Sequence, residues 1–324
     1  MSAGPAEERK APTMATTSRI AVARSFGSPD VISIENHEVP ALAPGAVRVA
    51  VRAAGLNPVD ARRRSGGFGG RPPRTFGSEF AGVVVESADP GAPVGAELVG
   101  WAAGGANADL LDVDPRATQP KPEGLDWLTA GGLSGAGQTA LTVLDTLGLQ
   151  PGAVVLVHGA AGGVGTLLTQ LAVARGLVVL GTASPKNLDF VRSLSATALD
   201  YTGDLPAQIT AASAGRPITA SIDLAGSRQA GDLAVAIRQA GGAAVTLVPE
   251  TMQSHGIQIL SSQKTPARLR ELLARAADGS LKLPVEGVSF AELSAAHARM
   301  DAKHATGKLV LDLADNPFLP ASAR

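Results

Sequence analysis

LVHGAAGGVGTLLTQLA, Leu156 to Ala172, sets an apolar run, a glycine-rich turn and an amphipathic segment end to end. The run reads as a buried strand. In the segment that follows, Val164, Leu167, Leu168 and Leu171 recur on one helical face, while Thr166, Thr169 and Gln170 fall elsewhere. Strand, glycine turn and helix in this order are the context in which a glycine pattern signals dinucleotide binding. Ala160, Gly162 and Gly165 occupy the three small-residue positions, for the tight turn, the close approach of a pyrophosphate and the packing of helix on strand. Alanine at the first position requires negative dihedrals there, and a Cβ at Gly162 would collide with a bound phosphate. A turn that only closes a βα unit is the plain alternative.

Outward from this loop the same alternation continues. LVVLGT (177–182) is followed by a helix near 187–194, SIDLAG (221–226) by one near 229–240, and AAVTLV (243–248) by the strand-like GIQIL (256–260). Such alternation predicts a doubly wound parallel sheet covered by helices. Before it, from Ser18 to about Gly152, short apolar alternations such as VRVAVRAAG (47–55) and FAGVVVESA (80–88) predict a mainly β region with tight turns. After it come a helix over PARLRELLARAADG (266–279) and a closing strand, GKLVLDL (307–313). The expected architecture is α/β, with the doubly wound domain inserted between two parts of a β-rich one. Residues 1–17 are expected to be a disordered tail, 18–136 and 265–324 to form the β-rich domain, and 137–264 the inserted one.

The chain has 324 residues, 45% of them hydrophobic, which is ample for packed cores and predicts a soluble globular protein. Its 28 basic and 29 acidic residues leave a net charge of -1, so no basic field draws it to nucleic acid or anionic lipid. It has no cysteine, which excludes disulfides, thiolate nucleophiles and cysteine-ligated metals and fits a reducing compartment, the cytoplasm. No apolar run approaches the roughly 20 residues that span a bilayer. After Leu180 the stretch TASPKN (182–187) contains no acid to grip a ribose 2'-hydroxyl, whereas Ser184 and Lys186 suit a 2'-phosphate, which favours NADP over NAD. A solvated loop lysine is the alternative for Lys186.

Taken with AAGLNPVD (53–60), GSEFAGVVVE (77–86), GQTAL (137–141), HGAAGGVG (158–165) and the terminal GKLVL, the chain resembles the zinc-independent quinone oxidoreductase, or zeta-crystallin-like, branch of the medium-chain dehydrogenase/reductase superfamily, from about Ser18 to Leu313. The resemblance implies a GroES-like catalytic domain, a Rossmann domain, NADPH in the cleft between them, and a homodimer. It implies that Asn57 lies near the nicotinamide and that Thr139 opens the helix linking the domains, though Asn57 before Pro58 also suits a plain turn and Thr139 plain packing. It also implies that Ala160, Gly162, Gly163, Val164, Gly165, Ser184, Lys186 and Tyr201 hold the pyrophosphate and adenosine phosphate. Zinc-dependent relatives carry a cysteine near Asn57 and a histidine at Ser78; both are absent, and the five histidines show no ligand spacing. Arg62 and Arg63 stand where many relatives have a tyrosine nearby. They suit either an anionic substrate or a solvated face, and Arg64 matches a residue common in the family.

Rival chemistries lack their residues. Leu205 stands where the catalytic lysine of a short-chain dehydrogenase would follow Tyr201, and Gly132, Ser134 and Ala136 miss the hydrolase elbow. The expectation is therefore hydride transfer from NADPH to a small conjugated carbonyl, a quinone or activated enone. A pathway-specific biosynthetic reductase, a repurposed enzyme, and a non-catalytic NADPH-binding protein are the alternatives. No proton donor is evident, since Tyr201 falls on the adenosine side and His158 ends a buried strand; quinones tolerate that lack better than alkenoyl thioesters.

Overall fold

The computed structural model describes residues 16–302 and 306–324. The expected tail therefore lies outside the described residues apart from Thr16 and Thr17, and Thr17 already begins the first strand. His304 also falls outside them.

The N-terminal part contains β1 (Thr17–Ala23), β2 (Ile32–Glu38), β3 (Val47–Gly55), α1 (Pro58–Arg64), β4 (Arg74–Thr75), β5 (Glu79–Ser87), β6 (Glu97–Trp101), β7 (Leu110–Val113) and β8 (Thr118–Pro120). A long helix, α2 (Trp127–Leu147), leads into the central part: β9 (Val154–His158), α3 (Gly163–Ala174), β10 (Val178–Ala183), α4 (Leu188–Ser193), β11 (Thr197–Asp200), α5 (Leu205–Ser213), β12 (Ile218–Asp223), α6 (Arg228–Gln239), β13 (Ala243–Thr246), α7 (Pro249–His255) and β14 (Gln258–Ile259). The chain closes with α8 (Pro266–Ala277), β15 (Val285–Val288), α9 (Leu293–Asp301) and β16 (Lys308–Asp312).

The central strands form a six-stranded sheet, β11-β10-β9-β12-β13-β14, with every pair parallel. The order reverses between β9 and β12, and at such a switch point a crevice opens at the carboxyl ends of the strands. The remaining strands make a mixed sheet, β15-β16-β3-β5-β6-β8 with β7 on β3, and a small antiparallel sheet, β2-β1-β4. Because β16 pairs with β3, the chain's end completes the β-rich domain begun by its start.

The 18–152 region, expected to be mainly β with tight turns, also holds α1 and the long α2. Four glycines, Gly131, Gly132, Gly135 and Gly137, hide α2 from propensity, since each costs about 1 kcal/mol against alanine. Tertiary packing requires them. A Cβ at Gly131 would lie 2.6 Å from the Ala53 Cβ, one at Gly132 2.9 Å from Val310, and one at Gly137 2.6 Å from Leu272. On its other residues α2 buries Leu133, Ala136, Ala140, Leu141 and Leu144 in a core shared with Leu167, Leu168, Leu269 and Leu272. The helix thus seals the β-rich sheet to the parallel-sheet domain. Thr139 lies in the middle of α2 rather than opening it, because the helix begins twelve residues earlier, at Trp127, capped by Asp126.

Candidate active site

The glycine loop joins β9 to α3 at the switch point. Its positive dihedral falls on Gly159, at φ 81°, so Ala160 keeps an ordinary backbone, which is why alanine is tolerated there. The Ala160 methyl in turn fills space beside Gly181 of β10, where a Cβ would lie 2.8 Å away. Gly165 is a packing glycine, since its Cβ would stand 2.2 Å from the Gly159 carbonyl oxygen. A Cβ at Gly162 would meet nothing nearer than that same oxygen, at 3.6 Å. The protein itself does not fill the space a Cβ would take at Gly162, so no intramolecular packing requires glycine there. The first helical bond of α3 runs from the Thr166 amide to Gly162 O, 2.8 Å, so the first-turn amides of Val164 and Gly165 have no acceptor within the helix and suit an anion, while the Gly163 amide is engaged by the bridge between Gly162 and Gly307.

Ser184, Lys186 and Tyr201 gather at the ends of β10 and β11, where the Tyr201 amide donates to Ala183 O at 3.3 Å. Ser184 is half-buried, Lys186 and Tyr201 are exposed, and Asp189, the nearest acid along the chain, pairs with Arg192. His158 ends β9, buried, and desolvation lowers its pKa to about 4, so it is neutral at physiological pH; Asp223 alongside opposes that shift. Asp223 accepts from the amides of Ala225 and Gly226 and from the hydroxyls of Thr246 and Thr251.

Asn57, Thr139 and the glycine loop come together, while Ser184, Lys186 and Tyr201 mark the far end of the crevice. What joins the near group went unassigned in the sequence: Lys308 of GKLVL and Glu79 of GSEF. Gly307 donates its amide to Ala161 O at 2.9 Å, which places Lys308 against the loop; a Cβ at Gly163 would lie 3.3 Å from the Lys308 Cδ. The Lys308 Nζ then reaches Glu79 Oε1 at 2.8 Å, Leu56 O at 2.9 Å and Asn57 Oδ1 at 2.5 Å. Asn57 Nδ2 donates to Glu79 Oε1 at 2.7 Å, and the Gly135 amide of α2 donates to Glu79 Oε2. The pair is buried, at 5% and 0% side-chain exposure. Burial pushes the Glu79 carboxyl up, but the charge and hydrogen bond of Lys308, with Gly135 and Asn57, outweigh it and hold the group below its ordinary value. Thr139 Oγ donates to Gly135 O at 2.6 Å, which leaves its lone pairs to accept. Both motifs were visible in the sequence, but nothing local says that their charges meet.

On α1, Asp60 is fully buried and desolvation raises its pKa, against the amides of Asn57 and Gly77 that it accepts. The arginines beside it do not form a solvated face. Arg62 pairs with Glu250 of α7 across the domains at 3.2 Å and lies over Phe68. Arg63 donates to Ala103 O at 2.7 Å, while its Nη1 is buried without a hydrogen-bond partner. Arg64 is structural, tied to Asp301 at 2.5 Å and to His297.

Among the described residues no group of three or more His, Asp or Glu side chains is placed to hold a metal ion, and no helix is long and apolar enough to cross a membrane.

Two family models match the chain. The alcohol dehydrogenase GroES-like domain matches residues 43–143 and the zinc-binding dehydrogenase domain residues 192–311. The NADPH-dependent alkenal/one oxidoreductase of Arabidopsis thaliana is 32% identical over 311 residues, 88% of this chain and 77% of that protein. A shorter stretch of 156 residues, 47% of this chain, is 42% identical to the spectinabilin polyketide synthase protein NorB of Streptomyces orinoci, and it spans 7% of that much longer protein. The quinone oxidoreductase of Coxiella burnetii superposes with a TM-score of 0.83 at 27% identity, covering 92% of this chain and 100% of that one. The chain belongs to the medium-chain dehydrogenase/reductase superfamily, in its quinone and alkenal oxidoreductase branch.

Proposed function

We propose that this protein is an NADPH-dependent, zinc-independent oxidoreductase that reduces a quinone or an activated enone in the cleft between its domains. The observation that carries the reading is the glycine cradle over Gly162, with an acid-free rim at Ser184 and Lys186 at one end and the Lys308, Glu79 and Asn57 network at the other. The Arabidopsis alkenal/one oxidoreductase and the Coxiella quinone oxidoreductase support it.

NADPH, when bound, would supply a hydride from its nicotinamide. The chain's own part is to hold and orient. Amides of Val164 and Gly165 would take the pyrophosphate, with Gly162 and Gly163 leaving room for it, and Ser184, Lys186 and Tyr201 the adenosine phosphate. Asn57 is fixed from beneath by Lys308 and Glu79, and with Thr139 it would orient nicotinamide and substrate carbonyl. Such positioning supplies much of a hydride-transfer rate. A cytoplasmic homodimer is part of the proposal.

The stretch similar to NorB favours a second reading, a reductase serving one biosynthetic pathway. A single assay addresses both: NADPH consumption against quinones, enones, enals and alkenoyl thioesters. Quinones and enones are expected to lead; thioesters leading would favour the pathway reading, and equal turnover of a saturated ketone would refute the assignment. Asn57→Ala is expected to lower turnover more than NADPH affinity.

A further inference from the structure

Reduction of a conjugated carbonyl leaves an oxyanion that needs a proton, and the residues assigned so far do not provide one. The three N–H bonds of Lys308 are all committed, to Leu56 O, Asn57 Oδ1 and Glu79 Oε1. His158 is neutral, and Asp60 spends both oxygens on backbone amides.

Lys264 differs from these. It sits on the linker between β14 and α8, in the parallel-sheet domain, and reaches across to Ser78 of the β-rich domain. Its contact with Ser78 O is 3.4 Å, longer than a well-made N–H···O bond. The charges acting on it are Asp60 and Arg63 of α1, Glu79 of β5 and Lys308 of β16, the same groups that floor the cleft. One of these, Arg63, also has a donor to spare, since its Nη1 is buried without a hydrogen-bond partner and its nearest carboxylate, Asp60, is 3.8 Å away. Lys264 is therefore an under-used cationic donor at the floor of the site, where zinc-dependent relatives carry a histidine ligand in place of Ser78, and Arg63 is a buried cation that acts on it.

We propose that Lys264 receives the oxyanion formed in the cleft and is its proton donor, with the buried Arg63 acting on it by charge; this rests on the reading of function given above. Hydride adds to the β-carbon of the substrate, the π pair moves onto the carbonyl oxygen, and that oxygen accepts from Lys264 Nζ. The ammonium proton passes to the enolate or hydroquinone anion, leaving a neutral amine that regains its proton from water. Preorganised donors aimed at developing charge are an effective use of a desolvated site. Burial first, then the repulsion of Arg63 and Lys308, pushes the Lys264 amine below its ordinary 10.5, against the attraction of Glu79 and Asp60, so the acid is easier to spend than an exposed lysine.

The test has two arms. In the protein without cofactor, lysines are reductively methylated with 13C and titrated by NMR, with Lys264→Arg identifying the resonance. It is expected below the ordinary lysine value and is expected to move up in Arg63→Met. In the enzyme, kcat is expected to fall as pH rises through the Lys264 pKa. Lys264→Met is expected to lose that limb and roughly 10²- to 10⁴-fold in kcat with unchanged NADPH affinity. Lys264→Arg keeps the charge but holds its proton, so it is expected to restore KM and not kcat. An ordinary Lys264 titration, or a Lys264→Met enzyme with undiminished kcat and the same pH profile, overturns the proposal while leaving the oxidoreductase reading intact. A wild-type protein that reduces none of the conjugated carbonyls overturns both.

Discussion

Replacing Lys308 by methionine removes the cation paired directly with the buried Glu79 carboxylate. Both side chains are at or below 5% exposure and their charged atoms are 2.8 Å apart, the situation in which breaking a pair costs about 3–5 kcal/mol. Glu79→Met is expected to cost a similar amount by stranding the ammonium. The double variant removes both charges and keeps apolar volume, so only hydrogen bonds to Leu56 O, Asn57 and the Gly135 amide are lost; it is expected to be less destabilised than either single variant. The pH dependence adds a sign. In the wild type the folded Glu79 pKa lies below its ordinary 4.5, so its contribution is present above that value and disappears as pH falls through the folded value. Without Lys308, burial dominates and the folded pKa rises above 4.5. The variant is then stabilised on the acid side and loses stability as pH rises through the raised value, so its deficit should be larger at pH 8 than at pH 5. Urea unfolding followed by the fluorescence of Trp101 and Trp127, at both pH values, measures each quantity. A double variant that costs the sum of the two singles, or a Lys308→Met deficit equal at both pH values, would refute the reasoning.

Lys186 is exposed and has no ion-pair partner among the described residues; its replacement by alanine should weaken NADPH about 10- to 100-fold relative to NADH, the worth of one hydrogen bond to a charged group, as read by titration with each cofactor. Gly162→Ala puts a methyl into space that protein atoms do not claim, so the thermal stability of the free protein should change by less than about 1 kcal/mol while NADPH binding is lost. Gly165→Ala, whose Cβ would stand 2.2 Å from Gly159 O, should instead destabilise the fold by about 1–3 kcal/mol; the opposite ranking would show that the roles of the two glycines are reversed. Activity should survive a strong chelator, and stoichiometric zinc in the purified protein would contradict the assignment made from Ser78 and the lack of cysteine.

The sequence by itself determined the parallel-sheet domain, because its signals are local: apolar runs of strand length, a glycine turn, and a 3.6-residue stripe in α3. It determined the family as well, through short motifs in fixed order. The resemblance implied a linking helix opening at Thr139, but the sequence did not show that α2 begins at Trp127, since four glycines lower its helical propensity, and the compensation comes from Ala53, Val310 and Leu272 on other elements. It gave the condition under which Ala160 is tolerated, a negative dihedral there, but not that the positive one falls on Gly159. The floor of the site was the least legible part. Asn57 and Lys308 are 251 positions apart, and Lys264 and Ser78 are 186 apart. A lysine in a strand or linker carries no local mark of its partner. Whether its charge is solvated, paired or left with a donor to spare depends on which carboxylates and carbonyls are folded within about 3 Å of it and on how much water is excluded, and only the packing of the two domains decides both.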